Sequence, residues 1–196
     1  LRHSMDTLVN DSWQQISCFL QAPYVLFGHS LGSTLAYLLA HKAIEESSQS
    51  PLHLFLSGAD GPSVPPDLPY KHLYSKTEFK EQLKTYGGIS EEILNDADAY
   101  DFFEPIIRAD LQAIDTWQYS EKPPLAIPAT VITGTEEDMT EAEIQLWQKE
   151  FSTEVTFKKM QGNHFFLFDH AQQFVELLEE DLLQTLSKNT KQVVDS

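Results

Sequence analysis

Cysteine is almost absent from the sequence, and basic residues are scarce. The single cysteine, Cys18, excludes an intrachain disulfide. Only 13 Lys and Arg residues stand against 30 Asp and Glu residues, which gives a formal net charge of −17. A surface of this sign repels phosphate backbones and anionic lipid headgroups. We therefore expect neither nucleic acid nor a membrane as a partner.

Several informative patterns are also missing. No apolar run approaches the ~20 residues that cross a bilayer, and residues 1–20 lack the basic and apolar regions of a secretion signal. One cysteine and scattered histidines fit no zinc-ligand spacing, and the sequence has no Walker or Rossmann glycine pattern. We therefore expect no metal and no cofactor, and a cytoplasmic location.

The most informative stretch covers residues 24–40. It begins with an apolar run, passes through the pattern G-x-S-x-G at residues 28–32, and continues with apolar residues at helical spacing. Strand, sharp turn and helix form the setting of a nucleophile elbow, in which a strained turn exposes the serine hydroxyl. This context predicts Ser30 as a nucleophile, with the two glycines letting strand and helix pass closely. The N–H of Leu31, at the helix start, is the predicted oxyanion donor.

Apolar periodicity predicts alternating strands and helices in the rest of the chain. Alternation of this kind is typical of α/β proteins with a parallel sheet. Residues 63–120 change character and show only short helical patterns, so we predict a helical lid inserted into one domain that covers residues 1–196. The alternative is a satellite subdomain that only packs. The predicted strands cover residues 24–28, 52–58, 127–134 and 155–160, and the main predicted helices cover residues 5–21, 31–46, 140–151 and 174–186.

A catalytic serine needs a base, and the base needs an orienting carboxylate. In α/β-hydrolases these residues follow in the order serine, acid, histidine. The acidic loop 136–138 and His164 obey this order after Ser30, and each follows a predicted strand. His164 is therefore the predicted base, and His170, six residues further on, is its competitor.

The identity of the acid is less constrained than that of the base. Asp138 is the only aspartate of the acidic loop, and it is the acid we favour. Glu137 is the alternative, because its side chain reaches the same point through one more methylene group.

Four stretches of the sequence are informative together: residues 23–32, 86–89, 105–110 and 162–167. With them the sequence resembles the type II thioesterases that accompany nonribosomal peptide and polyketide synthases. The elbow is shared by many hydrolases, whereas the other three stretches are far more specific. The resemblance implies an α/β-hydrolase fold, with the nucleophile on Ser30, the base on His164 and the acid in the loop 136–138.

The same resemblance implies a reaction and a partner. Family members hydrolyse acyl or aminoacyl thioesters on the phosphopantetheine arm of an acyl or peptidyl carrier protein, which clears misprimed or stalled synthases. They begin with further strands and a glycine-containing loop that supplies a second oxyanion N–H. This sequence starts in the helix before the elbow strand, so we expect those first strands to be absent and Leu31 to be the one donor.

Two other functions remain open at this stage. One is a small-molecule esterase or acyltransferase that uses the same triad, although the lid motifs, the stretches 86–89 and 105–110 inside the predicted insertion, argue against it. The other is an inactive truncated fragment that acts only as a binding module. The preferred acyl chain and the oligomeric state are not predicted.

Overall fold

In the part of the chain that the structure describes, four parallel strands lie side by side in chain order. The computed structural model describes residues 1, 3–46 and 49–194, with side chains as far as residue 188. The predicted domain bounds, 1–196, therefore include a few residues outside this description. Because all neighbouring strands are parallel, their carboxyl ends lie along one edge of the sheet. The strands are β1 (Leu26–His29), β2 (Leu54–Ser57), β3 (Ala129–Gly134) and β4 (Thr156–Met160).

Helices connect these strands and cover both faces of the sheet. The predicted α/β architecture, a parallel sheet flanked by helices, is confirmed. Among the residues described, no helix is both long and apolar enough to cross a bilayer. The helices are α1 (Met5–Ile16), α2 (Leu31–Glu45), α3 (Lys76–Tyr86), α4 (Glu91–Asn95), α5 (Ala97–Asp115), α6 (Glu141–Gln145), α7 (Phe166–Asp169) and α8 (Ala171–Val194).

The core lies on the two faces of the central strands β2 and β3, in which every residue is buried. On one face, Tyr37 and Ala40 of α2 pack with Trp147 against the sheet. On the other face, Phe166 and Phe174 pack with Ile132 of β3. Burying one such large apolar side chain contributes roughly 1.5–3 kcal/mol, so these two layers fix the helices to the sheet.

Three predicted helices differ in extent from the observed ones. The helix predicted over 5–21 ends at Ile16 and continues as a 3₁₀ turn (Ser17–Phe19). The helix predicted over 140–151 changes to 3₁₀ geometry after α6, where the buried Trp147 indole donates to the Ala59 carbonyl at 3.0 Å. The closing helix starts earlier than predicted, as α7 and α8. Periodicity misses these changes because tertiary contacts decide them.

The helical insertion, residues 63–120, carries α3, α4 and α5 between β2 and β3. It has a small core of its own around the buried Phe79. Arg108 supports this core, because its guanidinium lies 4.0 Å from the Phe79 ring centroid and donates to the carbonyls of His72 and Tyr74. Its helical character matches the sequence pattern, and its service as a lid stays a prediction.

A buried polar network fixes α8 to the strands. Thr130 Oγ1 donates to Asp181 Oδ2 at 2.8 Å, so it accepts from His53 Nε2–H at 3.0 Å. Lys158 pairs with the other Asp181 oxygen at 2.6 Å. Burial lowers the pKa of the His53 imidazole to about 4, so the ring is neutral near pH 7. In this neutral form, with the proton on Nε2, Nδ1 accepts from the Thr185 hydroxyl at 2.9 Å.

The neutral His53 predicts acid sensitivity. The unfolded imidazole binds a proton below its ordinary pKa of 6.5 and the folded one only near 4, so stability falls as the pH falls between these values. This term amounts to roughly 2–3 kcal/mol by pH 4.5. His53→Gln removes the term, so we expect its unfolding free energy to fall correspondingly less between pH 7 and 4.5.

Urea unfolding of both proteins at several pH values measures this difference. Burial raises the pKa of Asp60 to about 6, which works in the opposite direction, but it does so equally in both proteins. Parallel pH profiles for the two proteins would contradict the assignment of a buried neutral His53.

Candidate active site

Ser30 occupies the sharp turn between β1 and α2. Its backbone has φ 56° and ψ −126°, and it is the one non-glycine residue with a positive φ among those described. Such a conformation costs on the order of 1–3 kcal/mol and needs support from its surroundings. A Cβ on Gly28 would overlap the Gly32 carbonyl, so close passage requires this glycine. The same expectation is wrong for Gly32, where a Cβ would meet nothing within 4 Å.

Ser33 holds the strained turn in place from the first turn of α2. Its hydroxyl is fully buried, lies 3.0 Å from the Gly28 carbonyl and 2.8 Å from the Ser57 carbonyl, and accepts the Ser57 N–H at 2.9 Å. The Ser30 N–H donates to the same Ser57 carbonyl at 2.7 Å. Sequence reasoning missed Ser33, although a hydroxyl on an otherwise apolar helix face is a readable signal.

Leu31 is the first residue of α2. The first four N–H groups of a helix have no acceptor within the helix, and the helix dipole adds partial positive charge there. The Leu31 N–H therefore lies where it could donate to an oxyanion formed at Ser30.

His164 and Glu137 meet at the carboxyl edge of the sheet. His164 follows β4 and Glu137 follows β3, and His164 Nδ1 lies 2.6 Å from Glu137 Oε1. The preference for Asp138 is corrected here, because the carboxylate on His164 belongs to its neighbour in the chain. The Glu137 side chain is 5% exposed and its Oε2 accepts the Gly134 N–H at 2.7 Å, whereas Asp138 is exposed. The extra methylene lets Glu137 fold back under its own loop.

This contact fixes the tautomer of His164. An ionised carboxylate only accepts hydrogen bonds, so the proton of the neutral ring lies on Nδ1. The Nε2 lone pair is left to accept a proton. This is the form of histidine that acts as a general base in serine hydrolases.

His29 lies beside both the nucleophile and the predicted base. It directly precedes Ser30, and its ring centroid lies 4.8 Å from that of His164. Its Nδ1 lies 3.0 Å from the Ser57 hydroxyl, and burial, with a smaller effect of the His164 charge, lowers the pKa of His29 to about 4. Sequence reasoning missed this position. Among the described residues, no hydrogen bond joins the Ser30 hydroxyl to His164. In serine hydrolases this hydrogen bond often forms fully only when substrate is bound.

The competing histidine lies elsewhere. His170 occupies the junction of α7 and α8, where its backbone N–H donates to the Phe166 carbonyl at 3.0 Å. The carboxylate of Glu137 contacts His164 instead. The structure therefore brings the predicted base, and not its competitor, to the acidic loop.

A serine on a strained elbow, a helix N-terminus and a histidine–carboxylate pair together suit nucleophilic acyl transfer. Residues 1–182 match the thioesterase domain family. The chain belongs to this family. The predicted α/β-hydrolase fold and the resemblance to type II thioesterases are therefore confirmed, and the chain is a thioester hydrolase by family.

The chain is similar to two curated relatives and to one solved structure, as follows. The gramicidin S biosynthesis protein GrsT of Aneurinibacillus migulanus is 27% identical over 175 residues, which are 89% of this chain and 68% of that protein. The human medium-chain S-acyl fatty acid synthase thioesterase is 30% identical over 181 residues, 85% of this chain and 66% of that protein. The structure of the type II thioesterase BorB from the borrelidin biosynthetic cluster superposes with a TM-score of 0.83 at 29% identity, covering 92% of this chain and 74% of that one.

The geometry predicts different effects for two adjacent carboxylates. Glu137→Gln removes the negative charge that holds the His164 tautomer, so we expect a fluorophosphonate to label Ser30 at least about 100-fold more slowly. Asp138→Asn, the matched control, should label within about twofold of the wild-type rate, because its side chain is exposed. Mass spectrometry of the adduct against time measures both rates. A larger loss in Asp138→Asn would return the acid to the position favoured from sequence.

Proposed function

We propose that the protein hydrolyses acyl or aminoacyl thioesters on the phosphopantetheine arm of a carrier protein. Ser30 is the nucleophile, His164 the general base, Glu137 the carboxylate that orients it, and Leu31 an oxyanion donor. The observation that carries the proposal is the 2.6 Å contact between His164 Nδ1 and Glu137, at the sheet edge where Ser30 is strained. A structural histidine–carboxylate pair would not require a strained serine beside it.

The first half of the reaction transfers the acyl group to the enzyme. Ser30 Oγ attacks the thioester carbonyl carbon while His164 Nε2 takes the hydroxyl proton. Negative charge develops on the carbonyl oxygen, and the Leu31 N–H stabilises it. The carbon–sulfur bond then breaks, and the proton passes from His164 to the departing thiolate of the arm. The products of this half are the free carrier thiol and an acyl ester on Ser30.

The second half returns the enzyme to its starting state. His164 removes a proton from a water molecule, which attacks the acyl carbon and forms a second oxyanion. The ester bond to Ser30 breaks, and His164 returns its proton to the serine oxygen. In both halves Glu137 stabilises the positive imidazolium. His29 stays neutral beside it, since its pKa is lowered to about 4, and so adds no repulsion.

The carrier-bound substrate is supported by the relatives and by the motifs. GrsT is named for gramicidin S biosynthesis, and BorB is a type II thioesterase of the borrelidin cluster. The lid motif at residues 86–89 belongs to α3 and the loop after it, on the side of the insertion that meets the base. A cytoplasmic location is part of the proposal, because the partner would be a biosynthetic synthase.

A comparison of substrates tests the function. We expect kcat/KM for an acyl-phosphopantetheinyl carrier protein to exceed that for the same acyl group on N-acetylcysteamine by at least about tenfold, because contacts with the carrier add binding energy in the transition state. Preference for a p-nitrophenyl ester over both thioesters would support a small-molecule esterase. Carrier binding without turnover would support the binding-module alternative.

Variants of the histidines check the mechanism in the same assay. His164→Ala should lower single-turnover deacylation at least about 1,000-fold, because it removes the base of both halves. His170→Ala, the matched control, should stay within about threefold of wild type. The reverse ranking would mean that the base is His170. Ser30→Ala should abolish the acyl-enzyme that mass spectrometry detects.

A further inference from the structure

Three consecutive residues of the helical insertion meet three consecutive residues of the histidine loop, which we define as residues 161–165. The Tyr86 ring centroid lies 5.6 Å from that of His164. The next two residues of the insertion lie against the neighbours of His164: Gly87 against Asn163 and Gly88 against Phe165. We infer that Tyr86 is a positioning residue, held by this contact where it sets the orientation of the His164 ring.

The two glycines show how close this contact is. A Cβ on Gly88 would lie 2.4 Å from Cδ2 and Cε2 of the Phe165 ring, and a Cβ on Gly87 would lie 3.2 Å from Asn163 Nδ2. Their φ values of +74° and +77° are also ones that other residues rarely adopt. Any side chain at the second position would therefore push the histidine loop away from the insertion. The backbone of the insertion approaches the loop closely enough to bring Tyr86 to the base.

His164 needs such support because only one side of its ring is restrained. The ring is attached to the chain through Cγ and its Nδ1 is bonded to Glu137, so the remaining motion is a tilt of the ring that displaces Nε2. His29 contacts the ring from β1 at 4.8 Å between centroids, and Tyr86 contacts it from α3 at 5.6 Å. Contacts from two separate elements restrict this tilt and so direct Nε2. A misplacement of about 1 Å at a reacting group costs about 100-fold in rate.

Tyr86 is itself held in place. Its side chain is half-buried, and the Lys71 ammonium lies 5.9 Å from its ring centroid while it pairs with Asp67 at 3.1 Å. Burial raises the pKa of the Tyr86 phenol, so it stays neutral. Tyr86 acts on the base through ring packing.

Fluorophosphonate labelling of Ser30 tests the inference without a carrier protein. Tyr86→Leu should slow labelling at least about tenfold, whereas Tyr86→Phe, which keeps the ring, should stay within about twofold of wild type. Tyr100→Leu is the matched control: Tyr100 is buried in the small core of the insertion, so its loss should lower Tm but leave labelling of the folded protein unchanged. The His164 ring resonances should shift in Tyr86→Leu and not in Tyr100→Leu.

A double-mutant cycle gives a second test. Gly88→Ala should slow labelling by forcing the loop away, and adding Phe165→Ala should restore part of that loss by making room for the methyl group. A Gly88→Ala or a Tyr86→Leu variant that labels like wild type would overturn the inference. The inference rests on Ser30 and His164 acting as proposed. Its failure can be told apart from a failure of the proposed substrate. If Tyr86→Leu labels slowly but the wild-type protein does not hydrolyse an acyl carrier protein, the proposed substrate is wrong and the positioning role of Tyr86 stands.

Discussion

The hydrogen bond between His164 and Glu137 is the contact on which the candidate site depends. It joins the loops that follow β3 and β4, and one partner is ionised, so it is stronger than a neutral bond. The loops are tied by their backbones as well, because the Glu136 N–H donates to the Gly162 carbonyl at 2.9 Å. The carboxylate thus selects the tautomer of the base and helps to hold the loop that presents it. Without it, an otherwise intact fold would keep a strained serine but lose a correctly oriented base.

The site contains two neighbouring histidines, His29 and His164, and only one of them is charged at a time. In the proposed mechanism His164 gains a positive charge, which the buried carboxylate of Glu137 stabilises. Two imidazoles 4.8 Å apart would repel each other if both were charged. Burial prevents this by lowering the pKa of His29 to about 4. The net charge of −17 has little part in this balance, since surface charges are screened beyond about 8 Å at physiological ionic strength.

Residues whose position is tied to the order of strands and helices could be placed from sequence. Ser30 stands at a strand-to-helix turn and His164 at the end of a later strand, and a parallel sheet brings both positions to one edge. The choice between Glu137 and Asp138 could not be made, because it depends on how one loop folds back on itself. The contact of Tyr86 with His164 was hidden for another reason: it joins residues 78 positions apart, and no local pattern records where an insertion packs.

A glutamate at the acid position has a physical consequence for the loop. Its additional rotatable bond adds conformational freedom that ordering must remove, at a cost of roughly 0.5–1 kcal/mol. The hydrogen bond from the Gly134 N–H to Glu137 Oε2, at 2.7 Å, offsets this cost and leaves Oε1 for the imidazole. Both oxygens are therefore engaged, one by the strand end and one by the base. An aspartate at position 137 would be one methylene shorter and could not span the same two partners without a shift of the loop. Length and loop conformation are thus coupled, and the glutamate is part of the geometry that orients His164.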